Sequence, residues 1–279
     1  MGDTATMWFL VRLAALTVLV TVGVLVAGVA EVVLAGIDRA VSPVGLRLPA
    51  MAPATLTPVV VVGGGLVGVV LGGPWAGRAG KALAHTETFL HELGHVLVAA
   101  ACGARPTGVV LDHDASGHAT ASWRQRRGPL PRLQRAAVAW FGYPAPPTFA
   151  AAGAALLVVA GPRPVLWAVL GAAALVTVLA RSAWTLVVTT GLGLVALASL
   201  SDRAAPQAAG VAVALLTAIV MHHTVTTWRR VVRRLPDGHD AFTVREQLGV
   251  PARLVQVLQA VWSLVAATWT VVLLAGSIG

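Results

Sequence analysis

Residues Ala82–Cys102 read ALAHTETFLHELGHVLVAAAC, an apolar run matching the ~20 residues that cross a bilayer core, with His91-Glu92-Leu93-Gly94-His95 set inside it. In a helix, residues four apart project from one face, so His91 and His95 can offer two neutral imidazoles to one divalent metal ion. Glu92 then stands beside the metal, where it can serve as general base towards water and afterwards as general acid towards a leaving amine. Gly94 is a weak helix former but keeps that part of the helix surface open. Polar side chains are costly at membrane depth, so a glutamate and two histidines within one span mark a functional site.

The rest of the composition agrees with a membrane setting. Of 279 residues, 57% are hydrophobic and 11% charged, which excludes an ordinary soluble domain. Judged against the ~20 residues a spanning helix needs, candidate spans run Trp8–Gly36, Thr55–Gly73, Ala82–Cys102, Ala136–Ala160, Pro164–Ala180, Ala183–Leu200, Ala208–Val225 and Leu254–Ile278. The expected fold is therefore an all-α polytopic membrane protein of about eight transmembrane helices with a small β-hairpin after the motif helix. Pro144, Pro146 and Pro147 predict a broken fourth span. The first span reads as an uncleaved anchor rather than a signal peptide, because its apolar run exceeds a signal-peptide core. Cys102, the single cysteine, excludes an intrachain disulfide.

The net charge of +9 does not point to nucleic acid. The arginines sit in membrane-flanking loops: Arg105, Arg124, Arg126, Arg127, Arg132 and Arg135 after the third span, and Arg229, Arg230, Arg233, Arg234, Arg245 and Arg253 before the last. With eight crossings both loops share one face, which the positive-inside rule makes the cytoplasmic one. No internal repeat or linker divides the chain, so residues 1–279 read as one integral membrane domain with its motif helix at 82–102, a hairpin at 107–123 and an acidic loop at 235–247.

The hairpin is announced by alternation: Val109 and Leu111, then Ala119 and Ala121, alternate with polar residues around Asp114-Ala115-Ser116-Gly117. Its edge could take an extended substrate peptide by strand addition. Asp112, His113, Asp114 and His118 read as a solvated turn rather than a metal cluster.

Because a catalytic zinc usually takes three protein ligands, His91 and His95 require a distant partner. Asp3 and Asp202 fall on the opposite side of the membrane, Asp38 and Glu246 read as loop or surface residues, and Glu31 sits towards the end of another span. Asp237 and Asp240 are left, in the loop before the final span. Glu87, one turn before His91, either orients an imidazole or points to water; His222 and His223 read as interfacial, with at most one of the two facing the site.

These features resemble the site-2 protease family of intramembrane zinc metallopeptidases, in particular a compact bacterial branch. The resemblance is carried by the His91–His95 motif in a membrane helix, the hairpin with Ser116-Gly117, the Gly142-Tyr143-Pro144-Ala145-Pro146 segment, and an acidic loop followed by Gly249-Val250-Pro251. It implies that an aspartate late in the core completes the metal site. Spacing to Gly249-Val250-Pro251 resembles the compact branch and favours Asp240, with Asp237 as the alternative; that branch's Ser-Asp-Ala pattern is met here by His239-Asp240-Ala241.

The expected activity is zinc-dependent intramembrane endopeptidase cleavage in or near a transmembrane segment of a protein substrate, membrane-protein or signal-peptide-like. Zn²⁺ would be held by His91, His95 and Asp240, with Glu92 catalytic. The expected setting is a bacterial cell membrane with the site open to the cytoplasmic side. The alternative is a non-catalytic membrane scaffold or regulator that retains a metal site.

Overall fold

The computed structural model describes residues 63–68, 77–123, 128–200, 205–233 and 239–276. The first candidate span, most of the second, and Asp237 lie outside the described residues. In chain order the elements are α1 (Gly77–Ala101), β1 (Arg105–Leu111), β2 (Gly117–Ser122), α2 (Pro129–Phe141), α3 (Ala145–Ala160), α4 (Pro162–Leu179), α5 (Ala183–Ala198), α6 (Ala205–Val232), α7 (Asp240–Leu248) and α8 (Ala252–Gly276). A further helical stretch covers 63–68.

Helix α1 is the axis of the fold. Phe89, Leu93 and Val96 recur at helical spacing and bury against Val109 and Leu111 of the hairpin and Val176 of α4. On another face, Leu83 joins Ala150 of α3, Ala218 and Ile219 of α6, and Ala267 of α8. The helix stops at a glycine in the left-handed region: Gly103 has φ 78°, its N–H donates to Ala100 O and that of Ala104 to Ala99 O, which satisfies carbonyls of the last turn. Small residues let neighbouring helices approach, as membrane packing favours. A Cβ on Gly64 would run into Ala214 and Thr217, and one on Gly68 into Ala218, so two glycines four apart meet two alanines four apart on α6.

The hairpin is antiparallel, with Val109 opposite Ala119 and Leu111 opposite Gly117. It begins two residues earlier than the alternation predicts. It is clamped to the α4–α5 connection, where Arg181 N–H donates to Val109 O at 2.9 Å, Leu111 N–H to Thr185 Oγ1 at 2.8 Å, and Ser182 Oγ–H to Leu111 O at 2.9 Å. At the turn, Thr88 of α1 donates to Ala115 O at 2.6 Å. These bonds hold β2 beside the motif helix.

Two helices, Pro162–Leu179 and Ala252–Leu274, are long and apolar enough to cross a membrane, and α2 with α3 makes a third if the pair, bent by 70°, counts as one span. The expectation of about eight crossings is thus matched by two or three among the described residues. Helix α1 has the length, 25 residues. Its own Glu87, His91, Glu92 and His95 lower its mean hydropathy below that of the two apolar helices. Helix α5, at 16 residues, is shorter than the ~20 a crossing needs. Large apolar side chains nonetheless face outward, among them Val159 (85% exposed), Trp167, Val187, Val265 and Trp269, the surface expected of helices bathed in lipid.

The break between α2 and α3 follows from its prolines. Pro144 stands at the N-cap of α3, with Pro146 and Pro147 in the first turn, where backbone N–H groups have no intrahelical acceptor and their loss costs nothing. The acidic segment also departs from expectation: from Asp240 to Leu248 it is the helix α7 rather than a loop. A hydrophobic cluster of Ala139, Ala241, Val244, Ala252 and Val255 fixes α7 between α2 and α8.

Candidate active site

Helix α1 supplies two imidazoles, and the first residue of α7 brings a carboxylate to them. His91 Nε2 and His95 Nε2 lie 3.1 Å apart, and Asp240 Oδ2 lies 3.1 Å from the first and 3.4 Å from the second. Four ligands at ~2.0–2.1 Å around a tetrahedral zinc are separated by about 3.3 Å, so the three atoms have the spacing of one face of such a tetrahedron. Among the described residues this is the one group of three or more His, Cys, Asp or Glu side chains so placed that it could hold a metal ion. The turn residues Asp112, His113, Asp114 and His118 form no such group, and Asp114 instead accepts from Ser116 N–H and Oγ–H at 2.9 and 2.7 Å.

The break next to α2 orients the second imidazole. His95 Nδ1 lies 2.7 Å from the carbonyl of Val138, in the last turn of α2. A carbonyl only accepts, so Nδ1 carries the proton and the Nε2 lone pair is directed at the group it shares with His91 and Asp240. Trp140 O would bond residue 144 in a continuous helix, but Pro144 has no N–H, and Gln259 Nε2 of α8 donates to this carbonyl instead at 3.2 Å. Between these carbonyls and α3 sits Gly142. A Cβ there would come within 2.5 Å of His95 Cε1 and Nε2 and 2.7 Å of His91 Cε1, so the glycine is needed for space under both rings, not for backbone freedom, its φ and ψ being helical at −51° and −57°. Gly94 lets α1 approach the α2–α3 break, because a Cβ there would strike Ala145 and press on Phe141.

Glu92 is buried, 2% exposed, and its Oε2 has no hydrogen-bond partner. It borders a cavity of about 560 Å³ lined also by His91, His95, Asp240, Ala119 and Tyr143. An unpartnered, buried carboxylate oxygen carries a desolvation cost, and this one borders space that a polar molecule could enter. Burial opposes the charge of Asp240, but hydrogen bonding to His91 and His95 outweighs it and holds the carboxyl well below the usual carboxylate range.

His239, which stands where the pattern of the compact branch has a serine, is 5% exposed. Its Nδ1 accepts from Ala241 N–H at 3.1 Å, capping α7, and its ring stacks on Tyr143 with centroids 4.6 Å apart at 7°. Burial pushes the imidazole pKa down to about 4, so the ring is neutral at physiological pH. Tyr143 also meets His91 edge-on at 4.7 Å and carries the Arg230 guanidinium 5.1 Å from its centroid.

Glu87 neither faces water nor orients His91. It is buried, with Oε1 2.5 Å from His222 Nδ1 and Oε2 3.6 Å from His223 Nδ1, while His223 Nε2 lies 3.2 Å from Thr227 Oγ1. Both α6 histidines, expected at the interface with at most one turned inward, are buried against one acid. This cluster joins α1 to α6 one turn from the motif. We expect Glu87→Ala, which strands two buried imidazoles, to destabilise the fold by about 2–5 kcal/mol, seen as a lowered melting temperature in detergent. An unchanged melting temperature would mean that the cluster does not brace the helices.

The model of the family described as Peptidase M50B-like matches residues 62–272, and the chain belongs to this family of membrane metallopeptidases, the site-2 protease type that the motifs resemble. The matched stretch covers α1 through most of α8, and so includes every site element described above. No curated protein and no solved structure matches the chain.

Proposed function

We propose that the chain is a zinc-dependent endopeptidase that hydrolyses a peptide bond in or near a transmembrane segment of a protein substrate, with His91, His95 and Asp240 as metal ligands and Glu92 as the proton-transfer residue. The observation that carries this reading is the triangle of Nε2, Nε2 and Oδ2 atoms at 3.1, 3.1 and 3.4 Å beside an unpartnered glutamate oxygen. Two nitrogens and one carboxylate oxygen are a donor set zinc accepts, and three protein ligands leave a position open. When bound, Zn²⁺ supplies the Lewis acid that polarises the peptide carbonyl and acidifies water.

The chain's own groups do the rest. Glu92 takes one proton from water as the water oxygen bonds the carbonyl carbon, then delivers that proton to the amide nitrogen as the C–N bond breaks, leaving a carboxylic acid and an amine, and the acid's remaining proton then passes to the amine or to solvent. His95 is kept in the correct tautomer by Val138 O. Gly117 and Ala119 of β2 line the same cavity, and β2 pairs only with β1 among the described strands, so its other edge is available to an extended substrate. The arginine-rich loops favour a cytoplasmic opening for this cavity.

The test is zinc content per chain after purification in detergent, comparing the native chain with His91→Ala, Asp240→Ala and Asp237→Ala. Near-stoichiometric zinc, lost with His91 and Asp240 and kept with Asp237, is expected. Loss with Asp237 instead would move the third ligand to that residue. A folded native chain that takes up no zinc would favour the non-catalytic scaffold.

A further inference from the structure

His239 stands next to a proposed ligand, yet the proposed reaction gives it no step. Its surroundings show a use. Asp240 is the first residue of α7, and aspartate is itself among the strongest N-caps: placed at a helix start with no cap before it, its carboxylate turns to bond backbone N–H groups two and three residues on. Those donors, on Phe242 and Thr243, would compete with His91 and His95 for the same oxygens. In the structure the competition is forestalled. His239 is the N-cap, with extended backbone at φ −66° and ψ 136°, and its Nδ1 accepts from Ala241 N–H. Phe242 N–H is bonded to His239 O at 2.8 Å. Ala241 and Phe242 N–H are thus bonded to residue 239, through its side chain and its carbonyl, and not to Asp240, whose carboxylate faces the two imidazoles.

We propose that His239 is the positioning residue for Asp240: by capping α7 itself, it keeps the Asp240 carboxylate from capping the helix and holds it on the metal side. The stack on Tyr143 fixes the ring that does this, and through Tyr143 ties the cap to the α2–α3 break that also orients His95. The cap has a cost. With Nδ1 accepting, the neutral ring carries its proton on Nε2, which is buried without a partner. A serine would cap without leaving such a donor behind. This inference rests on the zinc-centre reading above.

The experiment measures zinc affinity by chelator competition on the full detergent-solubilised chain, alongside a melting curve, for native protein, His91→Ala, His239→Ala, His239→Ser, His239→Asn and His239→Phe. Alanine and phenylalanine remove the cap, and affinity is expected to fall on the order of 10- to 100-fold, the usual effect of losing a residue that orients a ligand. Serine and asparagine restore a cap and should bring affinity back to within a few fold of native. Phenylalanine keeps an aromatic stack without a cap, so native affinity in His239→Phe would overturn the proposal, as would failure of serine and asparagine to rescue. If His239→Ala does not fold, phenylalanine against serine still decides. Absence of zinc from the native chain would instead sink the metal-centre reading, a result distinct from native and His239→Ala binding equally while His91→Ala does not bind.

Discussion

Glu92→Gln is expected to keep its zinc and to lose peptide hydrolysis by a factor on the order of 100 to 10,000, the usual contribution of a positioned proton-transfer group. Glutamine has nearly the same shape, so the packing of α1 against the hairpin and α4 is preserved, and Glu92 is not among the three atoms that form the ligand triangle. What changes is chemistry: a neutral amide oxygen cannot take the proton that water must shed. The readout is single-turnover cleavage of a peptide containing an apolar segment, with zinc content determined on the same sample. Retained turnover with bound zinc would remove Glu92 from the mechanism. Lost zinc would show instead that Glu92 supports the ligand set.

Gly142→Ala is expected to lower zinc affinity by about 100-fold or more, beyond what losing a single orienting residue outside the ligand set brings. The substitution is mild on other grounds, because the backbone at Gly142 is helical and alanine suits a helix better than glycine. Its one defect is steric. The added methyl would overlap His95 and crowd His91, and neither ring can retreat far with Val138 and Tyr143 against them. Chelator competition measures the loss, and a melting curve near native would show that the centre failed while the fold survived. Native affinity would mean that the rings do not rest on this glycine.

What could be read from the letters depended on distance along the chain. His91, Glu92 and His95 were legible as a candidate site because two imidazoles that share a metal from one helix must stand one turn apart, and the hairpin because two-residue alternation is local. Prolines announced the broken helix for the same reason. Asp240 could be narrowed to one of two acids only by inventory and resemblance, since nothing local says which carboxylate arrives at a distant helix. Glu87 and His222, 135 residues apart, meet through the packing of α1 on α6, which no pattern within either segment encodes. The capping role of His239 was not legible because histidine is not a usual cap, nor the spacing role of Gly142 because its task is a space shared with another helix. The motif helix α1 is not among the helices apolar enough to cross by composition, for an informative reason: the residues that make it a candidate site also lower its hydropathy.

The interruption between α2 and α3 has an implication for anyone redesigning this chain. A protocol that rewards helical regularity would replace Pro144 with a good helix former, supply an N–H to Trp140 O, and so draw that carbonyl away from Gln259; it would also favour alanine over Gly142. Each exchange improves the rod; the first removes a tie between α2 and α8, and the second crowds His91 and His95. Here local irregularity belongs to the architecture: stabilising this segment as a regular helix is expected to trade against the geometry of the site beside it.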